Sequence, residues 1–355
     1  MTPRFHTLRI ARLRPETTDA ICIELAVPPE LERDYAFVQG QHLTLKTDVD
    51  GQEMRRSYSI CAGADDGVLR VLIKKVRGGR FSMYANSRLR VGDVLDVLTP
   101  DGRFHTPLDA AHAKHYVAFA AGSGITPILS LASTTLRREP HSRFTLLYGN
   151  RRQSTVLFQE ELEDLKDRYL TRFVLYHVFS REQQDVPLFN GRLDGAKVHA
   201  FAETLVPAAT IDEAFVCGPG GMIDEVSAAL LECGVAAERI HVERFGVPDA
   251  DPSHHVEADD AARAIVTVIS DGIQREVEFR TTDPSILDAA LAAGVDLPFA
   301  CKGGVCCTCR AKVLEGRVRM DKNYGLERRE LDAGYVLTCQ SHPLTERVTI
   351  SYDAR

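Results

Sequence analysis

Four cysteines toward the C-terminal end, Cys301, Cys306, Cys309 and Cys339, follow a C-x4-C-x2-C pattern with one distant partner. Thiolates at that spacing hold the two irons and two bridging sulfides of a [2Fe–2S] cluster. Gly303 and Gly304 let the loop fold tightly enough to turn backbone N–H groups toward a negative cluster. A zinc knuckle is the competing use of such thiols, but it is built from close pairs of donors, and Cys339 is expected to have neither a Cys nor a His nearby to pair with. Cys307 exceeds the required count and reads as a bystander. Cys22, Cys61, Cys217 and Cys233 are scattered. Cysteines so placed suit metal binding in a reducing compartment better than a disulfide framework.

Further groups of residues suit bound dinucleotides. Arg56-Ser57-Tyr58-Ser59 ends an apparent strand, and Gly78-Gly79-Arg80-Phe81-Ser82 follows a short distance on. A flavin dinucleotide needs a cation and hydroxyls at its pyrophosphate and an aromatic wall at its ring. Arg56, Tyr58 and Ser82 supply these groups, with Ser57, Ser59 and Phe81 beside them, and Gly78 and Gly79 would turn N–H groups toward phosphate. By themselves the same residues also suit a solvent-edge strand and a turn. Gly122-Ser123-Gly124-Ile125-Thr126-Pro127 joins a buried strand to a helix whose N-terminus can receive a phosphate. It lacks the third glycine of a G-x-G-x-x-G loop, and Thr126-Pro127 starts the helix instead. Cys217-Gly218-Pro219 ends a later strand, where the carboxyl ends of a parallel sheet are open to ligands, although a buried structural cysteine fits there equally. Arg151 and Arg152 follow the strand FTLLYGN, where arginine favours a 2′-phosphate and so NADPH over NADH. Two ordinary surface arginines are the alternative.

These groups need elements to hold them. Up to about Leu108 the runs LRIARL, AICIEL, HLTLKT, RSYSICA, VLRVLIKKV and DVLDVLTP predict a small antiparallel β-barrel without long helices. Beyond it, YVAFAAG, FTLLYGN and AFVCGPGG alternate with helical TPILSLASTTLRRE, FQEELEDLKDRY and MIDEVSAALLECG, which predicts an α/β domain with a parallel sheet covered on both faces. Gly234 takes the position just past the last of these helices. The stretch 247–262 is acidic, contains prolines, lacks apolar periodicity and reads as a linker. After it, AIVTVIS and EVEFR flank a turn at Asp271-Gly272, SILDAALAAG forms a helix capped by Ser285, and strands around Val313, Val336 and Val348 complete a small mixed fold. The expected domains are 1–108, 109–246 and 263–355, with the linker 247–262.

The chain has 355 residues, 44% hydrophobic and 26% charged, the balance of a folded protein. Its length suggests roughly two or three domains. A net charge of −7 argues against non-specific nucleic-acid binding. No apolar run reaches the ~18 residues that cross a bilayer. The opening MTPRFHTLRI lacks the apolar stretch of a secretory signal, so the cytoplasm is the expected compartment.

With its spaced cysteines, the stretch 263–355 resembles the plant-type ferredoxins. That implies a β-grasp fold, a cluster near the surface, and Cys301, Cys306, Cys309 and Cys339 as ligands. The order of RSYS, GGRFS and the later glycine-rich loop resembles the ferredoxin–NADP⁺ reductase superfamily. This implies an FAD-binding barrel in which Arg56 contacts the pyrophosphate, Tyr58 packs on the flavin and Ser59 approaches flavin N5. It also implies a nicotinamide dinucleotide on the 122–127 loop and Cys217 near the nicotinamide ring. A nicotinamide releases two electrons as hydride and a [2Fe–2S] cluster takes one at a time, so FAD stands between them. The order flavin, nicotinamide, ferredoxin resembles the reductase components of bacterial multicomponent oxygenases. Within that group the segments QGQHLTLK, RRSYSIC, GGRFS, AAGSGITP, LLYGNR, DEAFVCGP, HVERF, SILDAALAAGVDLPFACKGGVC and GYVLTCQ are similar to the reductase subunits of phenylacetyl-CoA epoxidases. That likeness implies a di-iron oxygenase as protein acceptor. Another hydroxylase as acceptor, or an iron–sulfur redox sensor, are the alternatives.

Overall fold

The structure, a computed structural model, describes residues 4–246 and 260–354, so most of the expected acidic linker lies outside the described residues. It forms two compact units, one built from residues 6–54 and 58–243, the other chiefly from residues 260–354.

In the first unit the alternating runs become strands β1 (Phe5–Thr17), β2 (Ala20–Ala26), β3 (His42–Val49), β4 (Gln52–Ser59), β5 (Leu69–Lys74) and β6 (Val94–Leu98). They pair in the order β4-β3-β6-β1-β2-β5. Just past β4, Ile60 bridges to Val71 and the Cys61 N–H donates to the Arg70 carbonyl at 2.9 Å, which curls the sheet into a half-barrel. Period-two alternation turns Leu8, Ile10, Ile23, Leu25, Leu43, Leu45, Val71 and Val97 into one core. A short helix, α1 (Arg80–Ser87), contributes Phe81 and Ala85 to that core. At eight residues it is too short for its periodicity to stand out in the sequence, which predicts only a turn there.

The same unit continues through β7 (His115–Ala121), α2 (Ile125–Arg138), β8 (Arg143–Asn150), α3 (Gln159–Arg168), β9 (Phe173–Phe179), α4 (Gly195–Thr204), β10 (Glu213–Cys217), α5 (Gly220–Glu232) and β11 (Ile240–Glu243). The strands form a parallel sheet in the order β11-β10-β7-β8-β9, with separate apolar cores on its two faces. The chain adds β8 and β9 on one side of β7, then returns to add β10 and β11 on the other, so the winding reverses between β7 and β10. Open α/β sheets bind ligands at such a switch point. Gly234 takes φ +90° after α5, as expected of a helix-ending glycine. One of the two cores is shared: Cys22, Cys61, Leu72 and Phe104 of the barrel region pack with Ile128, Leu131 and Tyr148.

The second unit contains β12 (Arg263–Ser270), β13 (Ile273–Arg280), α6 (Ile286–Ala292), β14 (Arg310–Glu315), β15 (Val318–Met320), α7 (Arg328–Asp332), β16 (Tyr335–Leu337), β17 (Ser341–Pro343) and β18 (Arg347–Ser351). Its main sheet has the order β13-β12-β18-β14-β16; β12 and β18 are parallel and the other pairs antiparallel, the mixed topology of a β-grasp. Asp271 and Gly272 both take positive φ, the turn that a two-residue hairpin requires. The Ser285 hydroxyl caps α6 by accepting the Asp288 N–H at 3.1 Å.

Candidate functional site

Three expected cluster cysteines lie on the loop between α6 and β14, and Cys339 lies in the turn after β16. The N–H groups of Gly303 and Cys306 donate to Cys301 Sγ at 3.3 and 3.4 Å. Gly304 takes φ +75°, and a Cβ there would lie 2.8 Å from the Lys322 carbonyl oxygen, so only glycine closes the loop this tightly. The sulfurs interact in two pairs, Cys301 with Cys306 and Cys309 with Cys339. A [2Fe–2S] cluster needs two thiolates on each iron, whereas structural zinc needs four donors around one ion. Among the described residues no three His, Cys, Asp or Glu side chains converge as a single-ion site.

The expectation that no histidine lies near Cys339 needs correction: His342 stands three residues on and is a potential fourth donor. Its Nε2 is 2.9 Å from Asp321 Oδ2 and its buried ring meets Phe279 edge-on. Cys307 aims its sulfur at the Val305 carbonyl and packs against Gly325. A hydrogen bond from Cys306, then backbone N–H groups, hold Cys301 well below the ordinary thiol value; Cys301 in turn pushes Cys306 up, and Cys339 pushes Cys309 up. Crowded thiols of this kind ionise together only around a cationic core, which fits an iron cluster. The Thr308 hydroxyl oxygen is buried without a regular hydrogen-bond partner, and the group it adjoins is the Cys306 sulfur.

At the switch point of the parallel sheet, the 122–124 turn leaves β7 while Cys217 ends β10 beside it. A Cβ on Gly124 would lie 2.0 Å from the Cys217 carbonyl oxygen, so the absence of a side chain lets the two loops meet. Gly122 takes φ +54° and its carbonyl accepts from the Tyr148 hydroxyl at 3.0 Å. No side chain caps α2, and its first N–H, that of Ile125, goes to the Gly122 and Ser123 carbonyls, so the N–H groups open to an anion are those of the 122–124 turn that precedes it. Thr126 and Pro127 are buried, and Thr126 Oγ1 donates to the Ser123 carbonyl at 2.9 Å. These two side chains shape the loop. Cys217 is fully buried and burial pushes its thiol well up, so it is neutral at pH 7. Gly218 packs close to Met222 and Ala121, and Pro219 is the residue before α5.

Glu243 stands in register with Cys217 on β11. The protein around it pushes its carboxyl up to about 8, so it is a neutral acid at pH 7. The sequence contains this residue in HVERF but no local pattern marks it; only strand pairing sets it beside Cys217. Arg151 and Arg152 lie exposed just past β8, where Glu182 also arrives and accepts the Gln153 N–H at 3.0 Å.

On the barrel, Arg56, Ser57, Tyr58 and Ser59 close β4. Arg56 is exposed and donates to the Arg55 carbonyl at 2.7 Å, Ser57 and Tyr58 are half-buried, and Ser59 is buried. The Tyr58 and Phe81 rings are 5.7 Å apart. Gly78, at φ +75°, and Gly79 lead into α1, whose N-terminus has no side-chain cap. The Ser82 hydroxyl, expected at the flavin pyrophosphate, accepts the Val76 N–H at 3.1 Å and donates to the Gly79 carbonyl at 3.0 Å. Phe81 is likewise buried and supports Tyr58 from the core side. The uncapped helix, the exposed arginine and the half-buried tyrosine suit a flavin dinucleotide.

A half-barrel with a flavin cradle, a parallel sheet with a dinucleotide crevice and a β-grasp with paired cysteines define an electron-transfer reductase. Comparison with known proteins agrees along the whole chain. Residues 14–106 match the oxidoreductase FAD-binding domain, 119–228 the oxidoreductase NAD-binding domain and 268–344 the 2Fe-2S iron-sulfur cluster binding domain. The chain is 47% identical to a component of the 1,2-phenylacetyl-CoA epoxidase of Escherichia coli, over 99% of this chain and 98% of that one. It is 33% identical to the ferredoxin reductase component of the 3-ketosteroid-9-alpha-monooxygenase of Rhodococcus rhodochrous, over 97% and 96%. The solved phthalate dioxygenase reductase shares the fold, with a TM-score of 0.59, 23% identity and 98% coverage of both chains. This chain belongs to the ferredoxin–NADP⁺ reductase type of oxidoreductases fused to a [2Fe–2S] ferredoxin, and is the reductase component of an oxygenase system. It carries electrons from a pyridine nucleotide through FAD and [2Fe–2S]. Among the described residues no helix is long and apolar enough to cross a membrane.

Proposed function

We propose that this chain takes hydride from NADPH and delivers single electrons to a di-iron oxygenase, the phenylacetyl-CoA epoxidase, in the cytoplasm. The observation that carries the choice of partner is the 47% identity to the Escherichia coli epoxidase component along almost the whole of both chains. Bound FAD supplies the conversion of a two-electron hydride into single electrons, which the cluster accepts. The chain's residues position these groups. Arg56 would hold the flavin pyrophosphate, Tyr58 would pack on the ring and Ser59 would lie toward N5; the 122–124 turn would hold the coenzyme phosphates. Cys217 and the Glu243 paired with it would adjoin the nicotinamide, and Arg151 and Arg152 would receive a 2′-phosphate, which favours NADPH. Cys301 and Cys306 bind one iron, Cys309 and Cys339 the other. The working domains are 1–108, 109–246 and 263–355. Replacing Ser59 or Cys217 lowers the hydride-transfer rate through misalignment while FAD content holds.

The test mixes the holoprotein with NADPH, phenylacetyl-CoA and the di-iron epoxidase component, and separately with a 3-ketosteroid oxygenase and its substrate. Epoxide formation coupled to NADPH consumption in the first mixture supports the reading. Coupled turnover only in the second, or in neither, would exclude it. NADH outperforming NADPH in kcat/KM, with Arg151→Ala making no difference, would correct the coenzyme alone.

A further inference from the structure

Away from the electron path, α4 and α5 bring a thiol, an imidazole and a carboxylate together. Cys233 ends α5, and its Sγ is 3.3 Å from Nδ1 of His199 on α4. His199 Nε2 is 3.0 Å from Glu232 Oε2. The two contacts select one tautomer: Nε2 carries the proton donated to Glu232, leaving Nδ1 to accept the thiol proton. A nucleophile on a base, with the base oriented by a third group, is the arrangement of an activated thiol. His199 is 43% and Glu232 67% exposed, and Cys233 is partly exposed, so a small solute can reach the sulfur.

We propose that Cys233 is a hydroperoxide-reactive thiol, with His199 as its base and Glu232 holding the imidazole. The charged groups facing it are His199 and Glu203 on α4 and Glu232 on α5. Burial and the two carboxylates push the thiol above its ordinary value. Free thiolate is therefore scarce, and reactivity depends on proton transfer to His199. The oxidant is hydrogen peroxide, which a reduced flavin releases on reoxidation by dioxygen. His199 Nδ1 takes the thiol proton and the sulfur attacks one peroxide oxygen. An S–O bond forms as the O–O bond breaks, and the departing hydroxide recovers the proton from His199 as water. Sulfur is oxidised by two electrons to the sulfenic acid, and the peroxide is reduced. The helix α5 starts beside the coenzyme loop and ends at this cysteine, about 20 Å along its axis, so the reactive thiol stands apart from hydride transfer.

The test treats full-length holoprotein with less than one equivalent of hydrogen peroxide, traps sulfenic acid with dimedone and maps the adducts by peptide mass. Cys233 is expected to carry the first adduct. His199→Gln should slow it at least about tenfold at pH 7. Cys233→Ser should remove the adduct and leave NAD(P)H oxidation and FAD content unchanged. Earlier labelling of another cysteine, or an equal rate in His199→Gln, would overturn the proposal. Should that variant not fold, Glu232→Gln decides: slower labelling of Cys233 supports the assisted thiol, and an unchanged rate overturns it.

Discussion

Single atoms decide much at each site. The buried Thr308 hydroxyl adjoins the Cys306 sulfur, and a donor to a cluster sulfur stabilises the reduced, more negative state. Thr308→Val should therefore lower the cluster potential, with Thr308→Ser restoring it, read by an EPR-monitored redox titration. At Gly124 an added methyl would meet the Cys217 carbonyl oxygen at 2.0 Å. Gly124→Ala should cost about 1–3 kcal/mol in a denaturant melt and weaken coenzyme binding, because backbone on both sides of the crevice must separate. Glu243 has its carboxyl raised to about 8 from an ordinary 4.5. Between those pH values the folded chain keeps a proton that the unfolded chain releases, so stability falls as pH rises from 4.5 to 8 and the loss is complete above 8. Glu243→Gln should remove that slope. Its advantage over the wild type should be near zero at pH 4.5 and on the order of 2 kcal/mol at pH 9, by urea melts in excess FAD.

Helix ends separate structural elements from ligand-binding ones. Asp194 caps α4 through the Lys197 N–H and Ser285 caps α6, whereas α1, α2 and α5, which begin at the flavin and coenzyme loops, have no side-chain cap. The N–H groups at the starts of α1 and α5, and those of the 122–124 turn ahead of α2, remain for anions supplied from outside the chain. The start of α3 is handled differently. Phe158, at φ +58°, donates its N–H at 2.7 Å to Glu16 of β1, which also pairs with Arg14 at 2.8 Å. A barrel strand thus fixes a helix of the α/β sheet. Glu16→Ala should cost about 1–3 kcal/mol and lower the melting temperature by several degrees without changing FAD content, measured by calorimetry.

At the scale of the molecule, each compact unit has its own core and its own chemistry. Cys309→Ala should prevent cluster assembly yet leave FAD reducible by NAD(P)H in an anaerobic titration; transfer to one-electron protein acceptors should be lost. An equal loss of flavin reduction would show that the two units do not work separately. The division of labour is legible in the sequence because its signals are local. The cluster cysteines lie within one loop and one turn, the glycine loops sit at strand-to-helix junctions, and strand alternation differs in period from helix alternation. Other features require the folded chain. α1 and β9 are not legible because short or uniformly apolar segments have no distinctive period. Glu243 gains its place from parallel pairing with Cys217, and His342 is tied to Asp321, contacts that sequence spacing does not encode. Ser82 and Thr126 are legible as residues of glycine-rich loops, but the inward direction of their hydroxyls is not. Sequence by itself determined which cofactors the chain carries, since cofactor binding starts from short motifs; tertiary structure decided which of the motif side chains are buried and bonded within the chain and which stay open, since orientation is set by packing against residues far along the chain.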